Sequence, residues 1–397
     1  VNEHVKSVEQ AAESHSPNVK PEILSIAYHA ASATDIISDP FADGEPPHTT
    51  NRILNLRRIQ SWENYFLASA ICSVAVATGA EEETLRTLGR EKVNSGFHFF
   101  SALTGDMFTV LYATNKPCDS GVTNYFFWPQ VVKKAYVAFG YDCLYLSNAQ
   151  IKKDFRAAMN AIKASVDKGI PVLAWGMGNV TMSDGSRYDP LPEACLIGGY
   201  DEDDVLYVNL YPGPERMTVD GDGYTAITHG LNTTKGLFFV GGPVEPPHLR
   251  RVYSNTIKSI PVFLAMPSSD GYVFGKAALE KWADTLLDEG RFAGKTDEEL
   301  GGICWDLHCS PYCCVDTSTA EPYIRAAAEV YEIGLAKKLL PLYQRFTHLG
   351  QEIGSLHGGF FPPMTKFRTR AFRAQIAEKL QKMGETCNDI LHAFEDE

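Results

Sequence analysis

The chain has no apolar run near the ~20 residues that a bilayer-spanning helix needs, so no membrane span is expected from it. It has no basic excess either: 36 Lys and Arg stand against 49 Asp and Glu, a formal net charge of −13. Such a balance, without a basic stripe, gives nucleic-acid phosphates nothing to release counterions against and suits an anionic lipid surface poorly. Neither nucleic acid nor a membrane is therefore expected as a partner. Val1 to Lys20 lacks the apolar segment of a signal peptide, so nothing is expected to direct export. The nine cysteines are odd in number and irregularly spaced, which speaks against a disulfide framework and for free thiols in a reducing, cytoplasmic setting.

Other signatures are also missing. Trp175-Gly176-Met177-Gly178-Asn179 lacks the third glycine and the following helix of a dinucleotide site. Asp201-Glu202-Asp203-Asp204 lacks the spacing of a calcium loop and reads as a solvated hairpin turn. No cofactor is expected and no metal is assigned. Repeats and low-complexity tracts are absent.

What is present is enough to build a core: 397 residues, 44% of them hydrophobic and 21% charged. That length favours two domains, or one with a large extension. Residues 1–50 read as an N-terminal arm, 51–268 as a mixed α/β domain and 269–397 as a helical C-terminal region. Apolar spacing at Phe66, Ala70, Val74 and Ala77 predicts a buried helix from Ser61 to Thr78, with Cys72 in its core. A helix over 126–139, a strand over 142–146 and a helix over 151–166 capped by Asn148 come next. Strands are then expected at 170–175, 194–200, 205–210, 236–240 and 260–265. Further on, helices are expected at 274–287, 320–334, 336–353 with an interruption at Pro341, and 365–394 with a break near Gly384.

The segment Ile303 to Cys314 is the densest in reactive side chains. It holds four of the nine cysteines together with Trp305 and His308. Thiolates and imidazole are zinc ligands, yet the paired spacing of zinc modules is missing and Pro311 breaks any helix. Three readings stay open at this level: a metal site, a substrate-facing thiol or imidazole, and an ordinary packed loop. Aromatics at Tyr125 and Trp128 adjoin Asn124 and Gln130, so they read as core or as a pocket wall.

Four stretches carry a family likeness. They are Asn64-Tyr65-Phe66-Leu67-Ala68-Ser69, Gly169 to Trp175, Glu193-Ala194-Cys195-Leu196-Ile197-Gly198-Gly199-Tyr200-Asp201, and Tyr207-Val208-Asn209. Over roughly residues 50–290 the chain resembles the C39-like, papain-like cysteine peptidases, and among them the group similar to the butirosin-biosynthesis acyltransferase. The resemblance implies an α+β fold in which a buried helix packs on an antiparallel sheet, followed by a helical C-terminal region. It also implies a thiolate at the start of the helix and a histidine on the strand, but here those places hold Asn64 and Glu193 or Ala194. Of the usual set only Asn209 fits, as the group that orients the base.

Two functions follow as expectations. The first is an amide- or acyl-handling enzyme with relocated catalytic groups: His308, Cys309, Glu193, Asn209 and Asn64 for chemistry, Trp305, Trp128 and Tyr125 for substrate. The second is a non-catalytic protein that binds a small molecule or peptide in the same cleft. The segment from Cys304 to Cys314 is expected near Asn64. Homo-oligomerisation is left open.

Overall fold

A computed structural model describes residues 40, 48–54, 56, 66–79, 95–114, 129–177, 180–181, 187–188, 191–208, 225–227, 231, 234–268, 271–307, 320–358 and 363–395. Along the chain these form β1 (Thr50–Arg52), α1 (Phe66–Ala77), α2 (Ser95–Thr104), β2 (Leu111–Ala113), α3 (Pro129–Ala138), β3 (Tyr141–Ser147), α4 (Asn148–Lys153) and α5 (Phe155–Asp167). Strands follow: β4 (Val172–Met177), β5 (Val180–Thr181), β6 (Arg187–Tyr188), β7 (Leu191–Asp201), β8 (Asp204–Val208), β9 (Thr225–Ile227) and β10 (Gly236–Pro243). Then come α6 (Leu249–Lys258), α7 (Ile260–Leu264), β11 (Tyr272–Phe274), α8 (Gly275–Leu287), α9 (Glu289–Phe292), α10 (Asp297–Leu307), α11 (Ala320–Glu329), α12 (Gly334–His357), α13 (Met364–Phe367) and α14 (Arg370–His392). The described residues cluster into two compact units, one within Ala30–Thr104 and Thr123–His248, the other within Gly105–Val122 and Leu249–Glu397.

The first unit is built on an antiparallel sheet in the order β3-β10-β4-β7-β8-β9, with β1 added to β7. Strand alternation sends successive side chains to opposite faces. Val172, Ala174, Cys195, Ile197, Leu237 and Phe239 join Met159, Ile162 and Val166 of α5 in one buried cluster. The alternate residues Leu173, Trp175, Ala194, Leu196 and Phe238 are buried as well. They belong to the other face, where Phe238 stacks on Tyr145 at 5.0 Å. Helix α1 packs on β4 and β7, and none of its residues belongs to the α5 cluster, so it covers this second face. Leu67, Ala68, Ala70, Ile71, Cys72, Val74 and Ala75 are all buried, which is why the segment is apolar all round rather than along one stripe. Cys72 is a core residue, as its spacing predicted.

A bulge between Ile197 and Gly199 shifts the register of β7 against β8. Because the side-chain period is two, the extra residue returns Tyr200 to the face of Ile197, and Tyr200 lies in the α5 cluster. Glycine at 199 has a second cause. A Cβ there would lie 2.8 Å from Leu206 Cδ1 and 2.9 Å from the Asn51 carbonyl oxygen, so only glycine lets β1 approach. The expected hairpin turn is present, with Asp201 opposite Asp204 and Glu202 at φ 53°.

Two helix assignments in this unit need correcting. The cap before residue 151 is Ser147, not Asn148: its hydroxyl accepts from the Gln150 N–H while the Gln150 side chain accepts from the Ser147 N–H, a capping box. Asn148 instead donates to the Thr234 carbonyl at 2.6 Å. The single helix over 151–166 is two, because Asp154 caps a new start by accepting from the Ala157 N–H.

In the second unit β2 pairs with β11, and Tyr112 and Thr285 share a hydroxyl–hydroxyl bond of 2.9 Å. These contacts place residues 105–114 with the C-terminal helices. The largest packing is α8 on α14, followed by α11 on α12 and α12 on α14. Residues 260–265, expected as a strand, form α7. A short apolar run has no period to distinguish strand from helix, and Pro261 sits in the first turn, where its fixed φ and missing N–H are tolerated. Pro341 does not interrupt α12: it is exposed on the helix surface, where water can satisfy the carbonyl its ring deprives of a donor. Gly384 does not break α14. It is buried against α8, and a Cβ on it would stand 3.2 Å from Lys276 Cγ, so it serves close helix packing.

Arg373 of α14 is fully buried. Its guanidinium donates to the Leu286 carbonyl at 2.8 Å, the Phe367 carbonyl at 2.6 Å and Glu289 Oε1 at 2.7 Å. It also lies 4.2 Å from the centroid of the Phe292 ring. One side chain thus ties the ends of α8, α9 and α13 to α14.

Candidate functional site

The resemblance points to the start of α1 and the facing part of β7. On β7 the register is fixed by Ala194 opposite Trp175 and Leu191 opposite Met177, with an irregularity between them. Ala194 is the residue on the α1 face, and it is buried. Glu193 precedes it on the strand, but its side chain lies outside the described residues. Cys72 lies well inside α1. Ser69, one turn into the same helix, is buried, and its hydroxyl makes no hydrogen bond. Ser101 of α2 and Tyr136 of α3 are likewise buried with hydroxyls that make none. Burial, followed by the nearby Cys143, holds the Tyr136 phenol well above its ordinary value. The helix layer over this face therefore carries unspent hydroxyl groups in an apolar setting, where each costs free energy.

Most of the expected site residues fall outside the described residues: Asn64, Asn209, Tyr125, Trp128, His308 and Cys309. Trp305 is on α10, and its side chain is likewise outside the description. The proximity expected between the segment from Cys304 to Cys314 and Asn64 falls on the same residues.

The described cysteines are better defined. Cys72, Cys143, Cys195, Cys304 and Cys387 are buried thiols, none of them in a disulfide. Burial pushes the Cys304 thiol up to about 11 and raises that of Cys387 as well. A nucleophilic thiol needs the opposite shift, from a helix N-terminus or a neighbouring cation. Among the described residues, no group of three or more His, Cys, Asp or Glu is placed to hold a metal ion, and no helix is long and apolar enough to cross a membrane.

Sequence reasoning missed a polar cluster where β1, α5 and β7 meet. Asp167 Oδ1 accepts from Asn51 Nδ2 at 2.6 Å and from the Tyr200 hydroxyl at 2.8 Å. Asp167 Oδ2 is buried and makes no hydrogen bond. Lys163, one turn earlier on α5, holds its ammonium 5.5 Å from the Tyr200 ring centroid and 3.9 Å from Asp203 Oδ1. The Tyr200 phenol is raised by burial first, then by its bond to Asp167 and the charge there. A sequence signal existed: an aspartate closing a helix whose last turn has no basic residue is electrostatically misplaced, and such a residue earns a search for its partner.

No family model matches the chain, and no curated protein matches it.

Proposed function

We propose that this chain is an amide- or acyl-handling enzyme on a papain-like frame, acting on a small molecule or a peptide. The observation that supports it is helix α1, buried from Leu67 to Ala75 and laid over β4 and β7 of an antiparallel sheet, as the C39-like resemblance implies. The five cysteines among the described residues are buried and unsuited to attack; the other four, Cys118, Cys309, Cys313 and Cys314, lie outside the described residues. Cys309 adjoins His308, so this pair is the proposed nucleophile and base. The imidazole takes the thiol proton, the thiolate adds to the substrate carbonyl, and the leaving amine or alcohol departs with that proton. Water or an acceptor amine then takes the acyl group from the thioester. Glu193, Asn64 and Asn209 are the proposed polar groups of the sheet unit, and Trp305, Trp128 and Tyr125 the proposed substrate contacts.

The test is release of p-nitrophenol from p-nitrophenyl acetate, and aminolysis of an acetyl thioester, by the full chain. Cys309→Ser should abolish the initial burst. His308→Ala should slow turnover by about 10²-fold or more. Glu193→Gln, made alone, reports whether the sheet unit takes part. Wild-type rates equal to the buffer blank would defeat the enzyme reading.

A second reading, a non-catalytic binder of a small molecule or peptide, is favoured by one observation. The α1-facing position of β7, where the resemblance would put a base, is occupied by Ala194. Under this reading a ligand raises the melting temperature without being consumed.

A further inference from the structure

Strand β1 is short, with Thr50 and Arg52 exposed and Asn51 half-buried. It sits on an edge of β7 that β4 leaves open, since β4 covers that edge only as far as Ile197, opposite Val172. Beyond that point β1 takes over, with Arg52, Asn51 and Thr50 opposite Gly199, Tyr200 and Asp201. Backbone bonds fasten both ends: the Ile53 N–H donates to the Gly198 carbonyl and the Glu202 N–H to the Thr49 carbonyl, each at 2.8 Å. The Thr50 hydroxyl donates to the Tyr200 carbonyl at 3.1 Å. From β1 into α5 runs the side-chain bond of Asn51 to Asp167.

Three features built for other purposes would not produce this arrangement. Asp167 closes α5 at the negative end of the helix dipole, where a carboxylate is disfavoured. The bulge turns the Tyr200 hydroxyl onto the same carboxylate oxygen that Asn51 uses. Gly199 is hollowed out for the β1 backbone, whose Asn51 carbonyl oxygen would lie 2.9 Å from any Cβ there. Together they make a receptor for one extended segment with an amide side chain at its centre. The recognition is that of strand addition, in which backbone bonds give affinity and one side-chain site gives register.

We propose that β1 is a detachable strap, a strand-addition ligand supplied in cis and read at Asn51 by Asp167 and Tyr200. It leaves β7 without the sheet unfolding. The remaining sheet loses little by this, because the α5 cluster is formed by β4, β7, β8 and β10 and includes β1's neighbour Ile53 only at its margin.

Amide hydrogen exchange on the full chain tests it. Asn51→Asp sets a second carboxylate against Asp167 and removes a donor to a charged acceptor. A bond of that kind is worth about 1.5–3 kcal/mol, so exchange at Ile53 and Glu202 should quicken about 10- to 100-fold. The reference is the Lys235 N–H, bonded to the Trp175 carbonyl inside the sheet; its exchange should stay unchanged, as should the melting temperature. Asn51→Ala should give the same pattern with a smaller acceleration. Equal acceleration at Lys235 would make β1 part of the cooperative core and overturn the proposal. No acceleration at Ile53 and Glu202 would overturn the reading of Asn51 as the clasp.

Discussion

Replacing Arg373 by alanine should be among the most damaging single substitutions in the helical unit. The guanidinium is 0% exposed, whereas its carboxylate partner Glu289 is 52% exposed. The ion pair is therefore the lesser part of its contribution, because solvent screens Glu289. What the substitution leaves behind is worse: the Leu286 and Phe367 carbonyls lose a buried donor, at about 1–3 kcal/mol for each group left unsatisfied. The stacking on Phe292 is lost as well, along with the volume of the side chain. These losses overlap, so the sum is about 3–5 kcal/mol, or a fall in melting temperature of roughly 6–20 °C for a unit of this size. Glu289→Gln should cost under about 1 kcal/mol. The assay is urea unfolding of the full chain, with hydrogen exchange along α14 to assign the transition to this unit. If Glu289→Gln proved as costly as Arg373→Ala, or Arg373→Met matched the parent, the carbonyl-capping argument would be wrong.

Ser69→Ala and Ser101→Ala should each leave stability unchanged or raise it by up to about 1 kcal/mol, since each removes a buried hydroxyl that has no partner and alanine favours the helix. A clear loss in thermal melts would mean that the hydroxyls hold a ligand or a buried water. Iodoacetamide at neutral pH should spare Cys72, Cys143, Cys195, Cys304 and Cys387 in the native chain, and mass spectrometry of labelled peptides decides it. Burial raises Cys304 to about 11 and Tyr145 to about 12. Both groups are neutral when protonated, so the stability they confer is complete below their ordinary values and lost as pH rises through the raised ones. The urea midpoint should accordingly hold from pH 7 to about 9 and then fall toward about 11, less steeply in Cys304→Ala; a midpoint that rose over that range would contradict the sign. Tyr200→Phe should loosen β1 in hydrogen exchange, through the loss of its 2.8 Å bond to Asp167.

The sequence by itself determined the elements whose signal is local. The apolar helical spacing of α1, the short apolar runs of β3, β4, β7, β8 and β10, and the acidic turn between β7 and β8 were all legible from local pattern and turn chemistry. Tertiary structure decided wherever a residue's role depends on what approaches it. Gly384 resembles a helix breaker until α8 is seen pressed against it. Residues 260–265 resemble a strand until Pro261 is seen opening a helical turn. Residues 105–114 join the C-terminal helices because β2 pairs with β11 across a long stretch of chain, and no local pattern records such pairing. The candidate chemistry at His308 and Cys309 was legible only as composition. The Asp167 cluster was legible only as a misplaced charge, because its partners Asn51 and Tyr200 lie 116 and 33 residues away and are brought to it by the register of β1 and the bulge in β7. Local physics fixes what a segment can become, and long-range packing selects which of its side chains meet.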